Sequence, residues 1–175
     1  DMKLWILDDS HFPTGYANGR IKSDYPQYLK KYLDMRRYDV QGPLRRARID
    51  FSLLKGRPWD KPDPEQEILK VLLAKRISQR TEKRDPVIAE SICDITEQMN
   101  RESRLLTLDV PEGAWSIFVV YLTKKGGEQA TQDYLNPLVR EATEVLIREV
   151  YEPHYTHFKE EFGKTIQGFF SDEPR

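Results

Sequence analysis

Two apolar runs in this chain end on paired acids, and no other feature restricts its fold as much. Near the start, Lys3-Leu4-Trp5-Ile6-Leu7 runs into Asp8-Asp9; near the end, Gly168-Phe169-Phe170-Ser171 runs into Asp172-Glu173-Pro174. A short continuous apolar run reads as a strand buried on both faces, the setting of a parallel sheet. In barrel and doubly wound folds, the carboxyl ends of such strands are where ligands bind. Ionised acids are rarely buried without a partner, so acid pairs just past these strands mark a polar cleft. Both runs lie close to the ends of the sequence and read as cut edges, so a fragment of a longer protein is expected.

Composition removes several function classes. The 28 basic residues nearly balance the 29 acidic ones, for a formal net charge of -1. No bulk field therefore draws the chain to nucleic acid or to an anionic membrane. No apolar run approaches a membrane span, and no secretory leader opens the sequence. The one cysteine, Cys93, removes any internal disulfide or cysteine-built zinc site. Phosphate-cradling glycine loops, serine nucleophile elbows and metal-binding histidine pairs are missing, and no acidic cluster has calcium-loop spacing. No cofactor and no metal are expected. A cytoplasmic address is favoured by the lone cysteine and the missing leader, but the cut-looking termini leave it open.

The remaining pattern predicts an α/β chain: a partial (β/α) barrel with a β-rich insertion between barrel units. Parallel strands are expected near 3–8, 117–122 and 166–170, with helices near 25–35 and 137–162. Residues 1–37 would form the first βα segment, 38–113 the insertion and 114–175 the following βαβ segment. Asp24 opens the first helix, with Pro26 in its first turn and Leu29, Tyr32 and Leu33 facing inward. Period-two alternation over 44–54 and an ambiguous stretch over 68–77 read as strands of the insertion. The three-proline stretch 57–64 and the charged stretch 79–85 read as loops. Residues 103–110, Pro111-Glu112-Gly113 and 114–122 read as the strand, turn and strand of a hairpin. Asn136-Pro137 caps a helix whose inward stripe is Val139, Ala142, Leu146 and Val150, with a kink at Pro153. Strand edges opened by truncation are expected to promote self-association.

The strand-end rim is the candidate site. Asp172 and Glu173 lead it, and Asp8 and Asp9 would reach the same face. Paired acids can divide into proton donor and nucleophile or base, as glycoside hydrolysis requires, or can hold a hard cation. The loop after the first strand sets Phe12, Tyr16 and Asn18 among glycines, and aromatic faces with amides suit sugar rings. His154, His157 and Cys93 read as surface or packing residues, and Arg36, Arg37, Arg45, Arg46 and Arg48 as a solvated face. A different reading makes the chain a non-catalytic carbohydrate-binding or scaffold domain, supported by the β-rich insertion and the aromatic loop.

Leu4-Trp5-Ile6-Leu7-Asp8-Asp9 with Phe12-Pro13-Thr14-Gly15-Tyr16-Ala17-Asn18-Gly19 resembles the strand-and-loop signature of large bacterial glycoside hydrolases related to α-L-rhamnosidases. Residues 110–115 resemble their inserted β-region, and 134–137 and 163–174 their following barrel units, in the same order. The resemblance implies a (β/α)8 barrel within a multidomain bacterial protein that cleaves oligosaccharides. It implies Glu173 as the catalytic acid, in an Asp-Glu-Pro motif after a barrel strand. Asp8, Asp9, Phe12, Tyr16, Asn18, Asn136 and Asp172 would contact the carbohydrate substrate. Asp172 stands where many such enzymes carry Asn, and Asp9 where the pattern often has Glu, which leaves sugar specificity and retaining or inverting chemistry open. The second catalytic carboxylate would come from a later strand, so the 175 residues alone are not expected to hydrolyse glycosides.

Overall fold

The computed structural model describes residues 2–10, 12–55, 63, 65–77, 86–127 and 132–173. The expected loops at 57–64 (Asp63 apart) and 79–85 therefore lie outside the described residues, as does Pro174. The chain divides into two compact units, residues 1–31 with 126–175, and residues 32–125.

The first unit opens with β1 (Leu4–Leu7) and a glycine-rich loop that leads into the short helix α1 (Arg20–Asp24). Pro26–Tyr28 adds a 3-10 turn, and Leu29 then bridges to Leu135. The described residues of the second unit form a five-stranded antiparallel sheet. Its members are β2 (Tyr32–Asp50), β3 (Glu67–Lys75), β4 (Cys93–Asp94), β5 (Met99–Asn100) and β6 (Leu105–Thr123), in the order β2-β6-β3-β4 with β5 beside β6. The first unit resumes with α2 (Arg140–Leu146), a π-helical turn (Ile147–Tyr151), α3 (Glu152–His157) and β7 (Ile166–Phe170). The π turn sits just before Pro153, whose missing N–H and ring disturb the ordinary i to i−4 ladder. β7 pairs with β1 in parallel, setting Ile6 beside Phe169 and Leu7 beside Phe170.

Each unit has its own core. In the first, Tyr16, Ala17, Ile21, Leu29, Tyr134 and Leu135 pack with Ala142, Val145 and Val150 from one face of the helical segment. In the second, one face of the sheet presents Ile117, Val119 and Tyr121 from β6 and Val71 and Leu73 from β3 to Phe51, Leu54 and Ile95. Alternation explains the inside-out order, since successive residues of a strand point to opposite faces.

A partial (β/α) barrel is therefore not the fold. Among the described residues neither sheet closes, and the larger one is antiparallel. The stretch 117–122, expected as a parallel barrel strand, is antiparallel to both neighbours, β2 and β3. Its continuous apolar run arises because both faces of β6 are covered at least in part, with Phe118, Val120 and Leu122 half-buried on the face opposite the core. Pro111-Glu112-Gly113 is not a hairpin turn either. β6 continues straight through it, with Val110 opposite Leu44 and Gly113 opposite Gly42, and the extra residues are absorbed as a bulge against β2. Of the helix expected over 25–35 only the 3-10 turn Pro26–Tyr28 forms, after α1 has already ended at Asp24, because Leu29 bridges to Leu135 and Tyr32 opens β2. With the barrel goes the (β/α)8 expectation attached to the family resemblance.

Two carboxylates of the second unit give its stability a pH dependence. Burial pushes Asp63 up, but hydrogen bonds from the Thr123 hydroxyl and the Lys124 and Glu65 amides outweigh it and hold the carboxyl below its ordinary value. Asp39 behaves alike: burial raises it, while hydrogen bonds from Ser116 and Arg37 and the charges of Arg37 and Arg76 bring it lower. A carboxylate with a depressed folded value stabilises fully above its unfolded value, about 3.9, and that contribution disappears as pH falls through the folded value. Urea midpoints are thus expected to drop on acidification below about pH 4. Asp63→Asn should flatten that dependence, and a slope unchanged by the substitution would remove Asp63 as a cause.

Candidate functional site at the ends of β1 and β7

Parallel pairing of β1 with β7 brings the two acid pairs to one edge of the first unit. The strands are tied past their ends, since the Asp8 amide donates to the Phe170 carbonyl at 3.2 Å and the Thr14 amide to the Asp172 carbonyl at 3.0 Å. Thr14 is the pin between them. Its hydroxyl donates to Asp8 Oδ1 at 2.8 Å and accepts from the Asp172 amide at 3.1 Å.

Asp8 is fully buried. Beyond Thr14, it accepts hydrogen bonds at Oδ2 from the Tyr151 hydroxyl and the Ser171 hydroxyl. Three hydroxyls thus satisfy a polar group that the fold takes wholly out of water. Tyr151 is brought there from the last position of the π turn, a feature often found at functional sites. Burial, together with the hydrogen bond to Asp8, holds the Tyr151 hydroxyl above its ordinary value.

Asp9 organises the loop. Its Oδ1 accepts from the amides of Ser10 at 2.8 Å and Asn18 at 2.9 Å, and its Oδ2 from those of Gly15 at 3.0 Å, Tyr16 at 2.6 Å and Ala17 at 2.9 Å. Successive amides converge on one anion because Ala17 and Asn18 adopt left-handed φ values of 50° and 55°. This is the anion-binding nest of turn geometry, filled here by a side chain. Gly15 is required, since a Cβ there would lie 2.2 Å from the Tyr134 ring.

Among the other expected site residues, Tyr16 is buried, with its ring edge-on to Tyr134 at 5.8 Å. Asn18 lies on the surface, and its side-chain oxygen accepts from the Ser10 amide at 3.0 Å. Phe12 is 59% exposed. Asn136 is engaged elsewhere: its amide donates to the Tyr28 carbonyl, and its Oδ1 accepts from the Leu138 amide in a turn before α2. Asp172 is half-buried. Glu173 is exposed, on a backbone with φ 41°. Asp8, Asp9, Asn18 and Asp172 are thus joined in one network, with Glu173 next in sequence.

Thr14, Ser171 and Tyr151 complete the rim and were not singled out by sequence reasoning. The first two could have been found as hydroxyls beside strand-end acids. Tyr151 gave no such signal, because only the π turn rotates it toward Asp8. Next to it, a cavity of about 370 Å³ is lined by Tyr151, Glu152, Tyr155, Thr156 and Phe169. Among the described residues, no cluster of His, Cys, Asp and Glu is placed to hold a metal, and no helix is long and apolar enough to cross a membrane. Comparison with known proteins finds no matching family model, no matching curated protein and no matching solved structure.

Proposed function

We propose that the rim at the carboxyl ends of β1 and β7 binds carbohydrate. One observation carries this reading: half-buried Asp172 and exposed Glu173 follow closely on the exposed ring of Phe170, and the Thr14 bridge ties Asp172 to the loop that carries the exposed ring of Phe12. Carboxylates accept from sugar hydroxyls, while aromatic faces stack on the apolar C–H faces of a pyranose. Asp8 and Asp9 serve this site indirectly, since their oxygens already accept from the protein itself. They hold the loop and strand ends in place before a ligand arrives, which lowers the ordering cost of binding. Calorimetric titration with neutral mono- and oligosaccharides is the test. Saturable binding that weakens about tenfold or more in Phe12→Ala or Asp172→Asn is expected, on the scale of one good contact. Absence of binding to the whole panel would remove this reading.

A second reading, glycosidic-bond cleavage with Glu173 as general acid, is favoured by the left-handed backbone at Glu173. Strained non-glycine residues persist where the surrounding structure enforces them, and they gather at functional sites. Cleavage needs a second carboxylate about 5–9.5 Å away across the scissile bond. Asp8 and Asp9 are committed to internal hydrogen bonds, so this reading asks more of the rim than binding does. Turnover of aryl glycosides that disappears in Glu173→Gln, with saccharide binding retained, would establish it.

A further inference from the structure

We propose that the cavity lined by Tyr151, Tyr155 and Phe169 binds an organic cation of the quaternary-ammonium class. The proposal does not depend on carbohydrate binding, because Phe169 points to the face of β7 opposite the exposed ring of Phe170. The cavity holds about 370 Å³, and Glu152 and Thr156 complete its lining. Small-molecule sites commonly span about 300–1,000 Å³, so the space suffices for such a ligand. Tyr155 follows Tyr151 by one helical turn and so stands on the same side of the helical segment. The rings fix one another. Tyr151 lies 4.4 Å from Phe169, and Phe162 backs both Phe169 at 5.7 Å and Tyr155 at 5.3 Å, centroid to centroid. Rings held in place before a ligand arrives lose little freedom on binding.

The lining selects the ligand by charge and by shape. Its one charged member is Glu152, and it includes no lysine, arginine or histidine. Among the described residues no hydrogen bond or ion pair engages the Glu152 side chain, so its carboxylate is open to a ligand. Among the same residues no cation of the protein lies over the three rings, since those contacts fall on Tyr134, Phe118 and Tyr25. His154 meets Phe169 edge-on at 5.8 Å from outside the lining, with its Nδ1 bonded to the Val150 carbonyl. A cation is drawn to the negative face of an aromatic ring, and a carboxylate beside it balances the charge. Shape sets this cavity apart from the rim. The planes of Tyr151 and Phe169 are inclined by 51°, so they wall a space and do not form the flat platform on which a pyranose stacks. An alkylated ammonium suits such walls, because its charge is spread over methyl groups that need no hydrogen-bond partner.

Calorimetric titration of the full chain with choline chloride tests this, against sodium chloride at matched ionic strength. Saturable binding is expected, and choline's uncharged isostere, with carbon in place of nitrogen, should bind at least about tenfold more weakly. Tyr155→Ala and Glu152→Gln should each weaken choline about threefold or more, while Tyr155→Phe, which keeps the ring, retains it. Both positions are exposed, Tyr155 at 50%, so far-UV circular dichroism should be unchanged in all three variants. Choline that fails to saturate, an isostere that binds as tightly, or affinity indifferent to both Tyr155→Ala and Glu152→Gln overturns the proposal. So does a loss in Tyr155→Phe equal to that in Tyr155→Ala, since the hydroxyl and not the ring would then hold the ligand.

Discussion

Asp9→Ala is expected to lower the stability of the first unit by at least about 3 kcal/mol and to release the loop it anchors. Five backbone amides end on this one carboxylate, and the residue is only 4% exposed. Alanine removes every acceptor at once, and a buried N–H left without a partner costs about 1–3 kcal/mol. Not all five losses add in full, because the freed loop would reach water. That release is itself the structural consequence: Thr14, held in the same loop, would no longer bridge Asp8 to Asp172. Asp9→Asn is the informative companion. Its single side-chain oxygen can keep the three amides at the Oδ2 position, while its amino group faces the two remaining donors, so an intermediate loss is expected. Chemical denaturation of the three proteins, with amide exchange at 15–18, checks the order. Asp9→Ala as stable as the parent would mean that the amides find other acceptors and that the nest does not hold the loop.

How much of this could be read from the residues depends on what each interaction is made of. The strand at Ile166–Phe170 and the inward stripe of Ala142 and Val150 follow from apolar spacing, and the strand over Glu67–Lys75, ambiguous by spacing, from its β-branched residues; both are properties of side chains. The acids at the strand ends were visible for the same reason. What Asp9 does there was not, because its partners are backbone amides and have no letter in the sequence. The barrel expectation failed at another point. Apolar continuity over 117–122 reports that both faces of a strand are covered, and covered faces occur in antiparallel sheets as well as parallel ones. Partner choice is decided by pairing across the chain, and here Leu33 to Ile49 match Leu122 to Leu106. Composition at β6 could not distinguish those outcomes.

The bulge where β2 meets Pro111-Glu112-Gly113 makes the strongest demand on a single residue, and Gly42→Ala is expected to prevent the second unit from folding normally. A Cβ on Gly42 would sit 1.8 Å from the Pro111 carbonyl oxygen and 3.0 Å from that of Val110. Both are backbone atoms, so no rotamer change relieves the overlap. Moving Pro111 aside would pull Val110 from its place opposite Leu44, and Val110 is a core residue only 2% exposed. A loss on the order of 4 kcal/mol or more is expected, the range reserved for steric overlap that a packed interior cannot absorb. Gly113, directly opposite in the ladder, supplies the control. Its φ of +108° disfavours alanine, yet the nearest atom to a Cβ there is the flexible Lys75 Cε at 3.9 Å. Gly113→Ala should therefore cost only backbone strain, about 1–3 kcal/mol. Urea unfolding and the near-ultraviolet signal of Trp115, which packs at the margin of this core, would measure the difference. If Gly42→Ala proves no worse than Gly113→Ala, the two strands do not approach as closely at the bulge as they stand here, and β6 is free to turn where its Pro-Glu-Gly sequence would have it turn.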